Sequence, residues 1–378
     1  MVSVVLAGGG TAGHTSPMIA VAQALAEAAP GTAVTCVGTP KGLETDVVPA
    51  AGLTLRLIDP VPLPRHLGGD LVRVPFRLGR AVGQARAILR DLGADVVVGF
   101  GGYASLPVCL AAWRARIPVV VHEQNAVPGL ANKVSTRFAR AVLTTFPGTP
   151  LRRARCVGLP LRADLTALAR AGLGTRRAAS LEALGLRPDL PVLLISGGSQ
   201  GARRLNEATL AARSELLRAG VQILHVWGPK NLPADHAVLE DPASGARYVP
   251  LGYVAAMAQA YAAADLMLSR AGAGTVVETA TLGLPAIVVP LPFGNGEQAR
   301  NAAALIQAGA DELVIDADLT GQEVLRRVLP LITSPAELAR RGALAQRVMP
   351  PGAAERVART VLDVAGVPAG EVGREDRS

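Results

Sequence analysis

The sequence predicts an α/β protein built as two Rossmann-like, doubly wound parallel-sheet domains facing a cleft. Two observations carry this. Short Val/Ile/Leu runs alternate with Ala-rich helical stretches along nearly the whole chain, the pattern of parallel strands covered on both faces. Three of those runs end in paired glycines: Leu6-Ala7-Gly8-Gly9-Gly10, Val98-Gly99-Phe100-Gly101-Gly102 and Ile195-Ser196-Gly197-Gly198. A strand that stops at glycines and opens a helix lets a ligand approach the backbone, and its free N–H groups point at negative charge. Two such loops in the first half and one in the second give each half a nucleotide-type loop.

Taken in order, strands are expected at 2–7, 33–37, 53–58, 95–99, 118–122 and 141–145, then at 191–196, 221–226, 246–249, 265–268 and 286–290. Helices are expected at 335–346 and 352–365, followed by a polar tail. The change-over falls near Val157-Gly158-Leu159-Pro160-Leu161-Arg162. The expected domains are therefore 1–160, 161–345, a C-terminal helix at 346–368 that packs back on the first domain, and a disordered tail at 369–378.

At 378 residues the chain is long enough for two cores. Its net charge of +8 is uneven. Up to Arg162 there are 17 Lys and Arg against 8 Asp and Glu, or +9; the remainder has 21 against 22, or −1. An acidic partner therefore meets the N-terminal half. Aromatics at 3% argue against base-stacking platforms, and hence against nucleic acid. Cys36, Cys109 and Cys156 lie in apolar surroundings without metal-ligand spacing and read as buried, reduced thiols. A signal peptide is not expected, because no basic segment precedes the first apolar run and Gly8-Gly9-Gly10 interrupts it. Nor is a membrane-spanning helix: Val96–Trp113 is uncharged but broken by Gly101-Gly102 and Pro107.

Gly8-x-Gly10-x-x-Gly13 matches a dinucleotide fingerprint in form, yet the second strand ends Val34-Thr35-Cys36-Val37-Gly38 without the acid a dinucleotide site needs. His14, at the mouth of this loop, titrates near neutrality and suits a general base; a structural helix-start histidine is the competing reading. His122-Glu123-Gln124-Asn125 sits at a strand's C-terminal end, where open α/β sheets bind ligands; capping by Asn125 would explain one of its four polar residues. Ser199 and Gln200 on the third glycine loop suit a diphosphate. Glu278 falls one turn after Gly274 and reads either as a ribose ligand or as a solvated acid. Gln298 and Asn301 share one helix face and suit sugar hydroxyls, or simple exposure. Asp316-Ala317-Asp318 is expected to cap a helix at Leu319, and no metal site is assigned. Between 63 and 90, Arg65, Arg73, Arg77 and Arg80 accompany Leu67 and Phe76, while Leu71, Val74, Leu78, Val82, Ala85 and Leu89 form a core-facing stripe. The basic face is either merely solvated or fitted to an anionic membrane surface.

Five motifs resemble the MurG family of peptidoglycan N-acetylglucosaminyltransferases, within the two-Rossmann-domain GT-B glycosyltransferases. They are Gly9-Gly10-Thr11-Ala12-Gly13-His14, Gly101-Gly102-Tyr103-Ala104-Ser105-Leu106-Pro107, the run from His122 to Lys133, Gly197-Gly198-Ser199-Gln200-Gly201-Ala202-Arg203, and Ala271 to Glu278. They occur in family order. The resemblance implies inverting transfer of GlcNAc from UDP-GlcNAc to the C4 hydroxyl of lipid I, giving lipid II, at the cytoplasmic face of the plasma membrane. It implies no cofactor, and cell-wall synthesis proteins as partners. By the same resemblance His14 is the base, and Thr11, Ala12 and Gly13 face the transferred sugar. Tyr253 and Val254 read uracil, Glu278 holds the ribose, and Ala273, Gly274, Thr275, Val276 and Val277 form the donor helix start. Ser199, Gln200 and Arg162 lie near the diphosphate, and Gln298 and Asn301 bind sugar hydroxyls. Asn125 serves donor and acceptor, and Gly101, Gly102, Tyr103 and Glu123 serve the acceptor. Ala12 stands where the family has Gly, Glu297 where it has His, and Gly158-Leu159-Pro160 lacks the usual Asn before Pro. The alternatives are a GT-B enzyme acting on another lipid, such as diacylglycerol, and a non-catalytic nucleotide-sugar-binding protein.

Overall fold

The computed structural model describes residues 2–61, 74–198, 202–228, 230–254, 256–293 and 295–367. They fall into two compact units, Met1–Ala163 with Gly352–Ser378, and Asp164–Pro351.

The first unit contains β1 (Ser3–Ala7), α1 (Ala12–Ala28), β2 (Ala33–Gly38), α2 (Glu44–Ala50), β3 (Thr54–Leu57), α3 (Val74–Asp91), β4 (Val96–Gly99), α4 (Gly102–Arg114), β5 (Val119–Glu123), α5 (Leu130–Ser135), β6 (Ala141–Thr144) and β7 (Ala154–Cys156). Its sheet has the order β3-β2-β1-β4-β5-β6-β7, and every pair is parallel. In register, Val4 lies opposite Val34 on one side and Val96 on the other. β1, β4 and β5 are buried on both faces, which explains their unbroken Val-rich runs. The chain order reverses between β1 and β4, so the loops after Ala7 and Gly99 flank the crevice where such sheets bind ligands.

The second unit runs α6 (Ala163–Ala171), α7 (Gly174–Ala183), β8 (Val192–Ser196), α8 (Arg203–Arg218), β9 (Gln222–Val226), β10 (Leu239–Glu240), β11 (Arg247–Leu251), α9 (Met257–Ala263), β12 (Leu266–Ser269), α10 (Ala273–Leu282), β13 (Ala286–Val288), α11 (Glu297–Gln307), β14 (Glu312–Leu313), α12 (Gly321–Ile332) and α13 (Pro335–Val348). Its order, β10-β11-β9-β8-β12-β13-β14, repeats the same winding with its reversal between β8 and β12; only β10 pairs antiparallel. The last helix, α14 (Ala353–Val364), belongs to the first unit. Its Val357, Ala358, Val361 and Leu362 are buried in one apolar cluster with Val21, Leu25 and Leu143.

The eleven expected strands are all present, while β7, β10 and β14 were not anticipated. Each is only two or three residues long, too short to show a period. In α3 the expected stripe is found, with Val82, Ala85 and Leu89 buried and joined by Ala81. Two expectations are corrected. Cys156 is exposed, its thiol donating to the Thr145 carbonyl, because it sits on the edge strand. Asp316 caps no α-helix: it is buried against Arg270, also pairs with Arg204, and the Thr320 hydroxyl caps α12 by accepting from the Glu323 N–H. Leu63, Arg65, Leu67, Leu71 and Arg73, Ser199 and Gln200, and the tail from 368 lie outside the described residues.

Candidate active site

In the first unit the loop after β1 is shaped by Gly10, at φ +88°, and then opens α1, placing His14 on its first turn. His14 Nδ1 lies 3.0 Å from Thr11 Oγ1, and its backbone N–H donates to the Thr11 carbonyl. Thr11, Ala12 and Gly13 are exposed. The loop after β4 closes on the same place. A side chain at Gly101 would meet the His14 ring, and one at Gly102 would strike the Gly9 backbone, so both positions are held by glycine. Tyr103 follows, half exposed, with its ring edge facing Gly10. Burial lowers the His14 pKa; the Glu44 carboxylate and the Gly9 carbonyl pull it the other way.

The first loop already holds an anion. The Glu44 carboxylate, from the start of α2, accepts from the Gly10 N–H at 2.7 Å and from the Thr39 N–H and hydroxyl at 2.9 Å each. Glu44 is fully buried. The sequence reading missed it, and the only signal was an acid four residues after the Thr-Pro turn that follows β2.

The polar run after β5 points inward rather than toward a ligand. Glu123 is 2% exposed; its carboxylate accepts from the backbone N–H groups of Asn125 and Gly129 and from Asn132 Nδ2. Its expected contact with an acceptor is therefore corrected to a brace for the loop. Burial raises its pKa against those donors. His122 is buried between the Gly158 carbonyl and Gln124, and burial pushes it down to about 4. Asn125 stays half-buried, and Gly129 rather than Asn125 precedes α5.

In the second unit, residues 273–278 open α10 at the reversal between β8 and β12, Tyr253 follows β11, and Gln298 and Asn301 lie on α11. α10 starts after Gly272, and the N–H groups at its first turn have no intrahelical partner. Ala273, Gly274 and Thr275 line that turn, whereas the Val276 and Val277 side chains are in the core. Glu278, half-buried, accepts from the Tyr261 hydroxyl at 2.6 Å, so it is not a freely solvated acid. Tyr261 is 1% exposed and was not anticipated. Tyr253, just past β11, is 67% exposed and Val254 is buried. Gln298 accepts from the Leu291 N–H, which ties the loop before α11. Asn301 is 1% exposed and donates to the Ala271 carbonyl; the expectation of a direct sugar contact is corrected to a support of the 271–274 loop. Arg162, half-buried, belongs to the first unit and stands just before α6.

On α3, Phe76 is 80% exposed beside exposed Arg77; Arg80 pairs with Asp59 at 2.7 Å. The adjacent α4 adds an aromatic the sequence reading missed. Trp113 is half exposed and stacked on Phe138, with exposed Arg114, Arg116, Arg137 and Arg140 nearby in sequence. No helix among the described residues is long and apolar enough to cross a membrane. No group of three or more His, Cys, Asp or Glu among them could hold a metal ion.

Two doubly wound units, each with its loops at the sheet reversal, one carrying an imidazole and the other a helix start with an acid, define a glycosyltransferase of the two-Rossmann-domain class. The chain belongs to glycosyltransferase family 28: its N-terminal domain matches residues 4–144 and its C-terminal domain residues 192–357. The chain is 56% identical over 368 residues to the UDP-N-acetylglucosamine--N-acetylmuramyl-(pentapeptide) pyrophosphoryl-undecaprenol N-acetylglucosamine transferase of Cutibacterium acnes, covering 97% of this chain and 98% of that one. It is 52% identical to the protein of the same name from Nocardioides sp., over 96% of this chain and 98% of the other. Among solved structures, Acinetobacter baumannii MurG superposes with a TM-score of 0.75 at 30% identity, covering 96% of this chain and all of that one.

Proposed function

We propose that this protein transfers N-acetylglucosamine from UDP-GlcNAc to the N-acetylmuramyl-pentapeptide pyrophosphoryl-undecaprenol acceptor, converting lipid I to lipid II. The near full-length identity to transferases of that name supports the substrates. The observation that carries the chemistry is His14 at the β1–β4 reversal. His14 Nδ1 lies 3.0 Å from Thr11 Oγ1; the neutral imidazole has one protonated and one free ring nitrogen, and the free one accepts the proton. His14 takes the proton of the acceptor C4 hydroxyl as that oxygen attacks the sugar's anomeric carbon. The bond to the UDP oxygen breaks in the same displacement, so the configuration inverts and no covalent nucleophile is needed.

The leaving UDP gains negative charge. The α10 helix start, Ser199, Gln200 and Arg162 stabilise it. Glu278 holds the ribose, oriented by Tyr261, and Tyr253 with the Val254 backbone reads the uracil. Gln298 and the loop held by Asn301 shape the sugar pocket. Thr11, Ala12 and Gly13 face the transferred sugar, and Asn125, Gly101, Gly102 and Tyr103 receive the acceptor. The basic and aromatic face on α3 and α4 rests on an anionic membrane surface and brings the site to its lipid substrate.

Incubating the protein with UDP-GlcNAc and a short-chain lipid I analogue, with EDTA present, tests this. The expected product is the analogue carrying one β-linked N-acetylhexosamine. An unmodified analogue, or an α linkage, contradicts the reading.

A further inference from the structure

We propose that Glu44 is the built-in anion of the first glycine loop and a positioning residue for His14. It rests on the reading of His14 as the base. The loop has the form of a phosphate cradle, yet its Gly10 N–H is already satisfied by a carboxylate of the chain itself. The fit is specific to a carboxylate at this place. Side chains at Gly9, Gly38 or Gly42 would each overlap Glu44, so both the loop after β1 and the turn after β2 are glycine where they surround it.

The carboxylate joins the parts that make the site. Oε1 binds the turn after β2 through both donors of Thr39, and Oε2 binds the loop after β1. That loop lies against Gly102 through the Gly9 carbonyl, and Gly101 in turn faces the His14 ring. Removing the carboxylate releases the backbone on which His14 stands. Burial pushes the Glu44 pKa up, but the N–H groups of Gly10, Thr39 and Glu44 itself and the Thr39 hydroxyl outweigh it and hold the acid ionised. Its charge also favours the imidazolium that forms when His14 takes the acceptor's proton. A fixed negative charge here repels a second anion, so the loop offers a base to a neutral hydroxyl, and the acceptor's diphosphate lies away from the Gly10 N–H.

The test compares Glu44→Gln, Glu44→Ala and His14→Gln in the full chain with UDP-GlcNAc and a lipid I analogue. For Glu44→Gln the kcat is expected to fall about ten- to hundredfold while KM for UDP-GlcNAc stays within about twofold, as for other lost orienting partners. Formate, which fits the vacated carboxylate position, should restore activity to Glu44→Ala where chloride at equal ionic strength does not. A folded Glu44→Gln enzyme with wild-type kcat, alongside an impaired His14→Gln, overturns this inference alone. An active His14→Gln overturns the reading beneath it. Should the Glu44 variants not fold, carbon-13 resonances of the wild-type protein decide: the His14 ring signal is expected to shift as Glu44 titrates below the ordinary carboxylate range. Titration of Glu44 in or above that range, or with no response from His14, overturns the proposal.

Discussion

In the proposed reaction His14, in one unit, is the proton acceptor and Glu278, in the other, is the donor's ligand. Burial lowers the His14 pKa, so the imidazole stays neutral, and able to accept a proton, to a pH below its ordinary 6.5. Activity is therefore retained at neutral pH and lost as pH falls through that lowered value. His14→Gln should reduce kcat by about 10²–10⁴-fold and abolish this acidic limb, with UDP affinity unchanged; kcat against pH for the two proteins checks it. At Glu278, loss of a charge-assisted hydrogen bond to the ribose costs about 1.5–3 kcal/mol, so Glu278→Ala should weaken UDP about ten- to hundredfold by calorimetric titration. Tyr261→Phe removes only the orienting donor and should weaken it about two- to tenfold. Unchanged affinity in both would leave Glu278 without a donor role. The positions of His14 and Glu278 at helix starts were legible in the sequence because each follows a glycine loop. Glu44 and Tyr261 were not. They act through partners 34 and 17 residues away, contacts that no local pattern encodes. His122 and Glu123 misled for the converse reason: polar residues at a strand end look like ligand contacts until their backbone partners are seen.

Among the elements, α3 joins packing to surface chemistry. Its inward stripe of Ala81, Val82, Ala85 and Leu89 fixes which residues face outward, and those include Phe76 and Arg77. Arg77→Glu with Phe76→Ser should weaken binding to vesicles containing anionic lipid. Each basic residue near such a surface contributes about 1 kcal/mol, and added salt should weaken the wild type similarly. Arg80, engaged with Asp59, should matter less. Vesicle binding unchanged by the substitutions, or equal for neutral lipid, would reduce this face to a solvated one. The long elements were readable because a period of 2 or 3.6 shows which face is buried. The edge strands β7, β10 and β14 were not, since two or three residues hold no period and their pairing is set by the neighbouring strand.

For the whole molecule, the repeated strand order places the loops after β1 and β4, and after β8 and β12, at the point where each sheet reverses. The doubly wound class was legible from strands ending in glycine; α14, in the segment expected to pack back on the first domain, meets α1 in a long-range apolar contact. This fold carries transfer to an acceptor rather than nucleotide-sugar binding alone. The most direct measurement is the rate of UDP release from UDP-GlcNAc with and without a lipid I analogue. Release should depend on the analogue, saturate with it and match product formed one to one. UDP release at the same rate in its absence, or none in its presence, would contradict transfer.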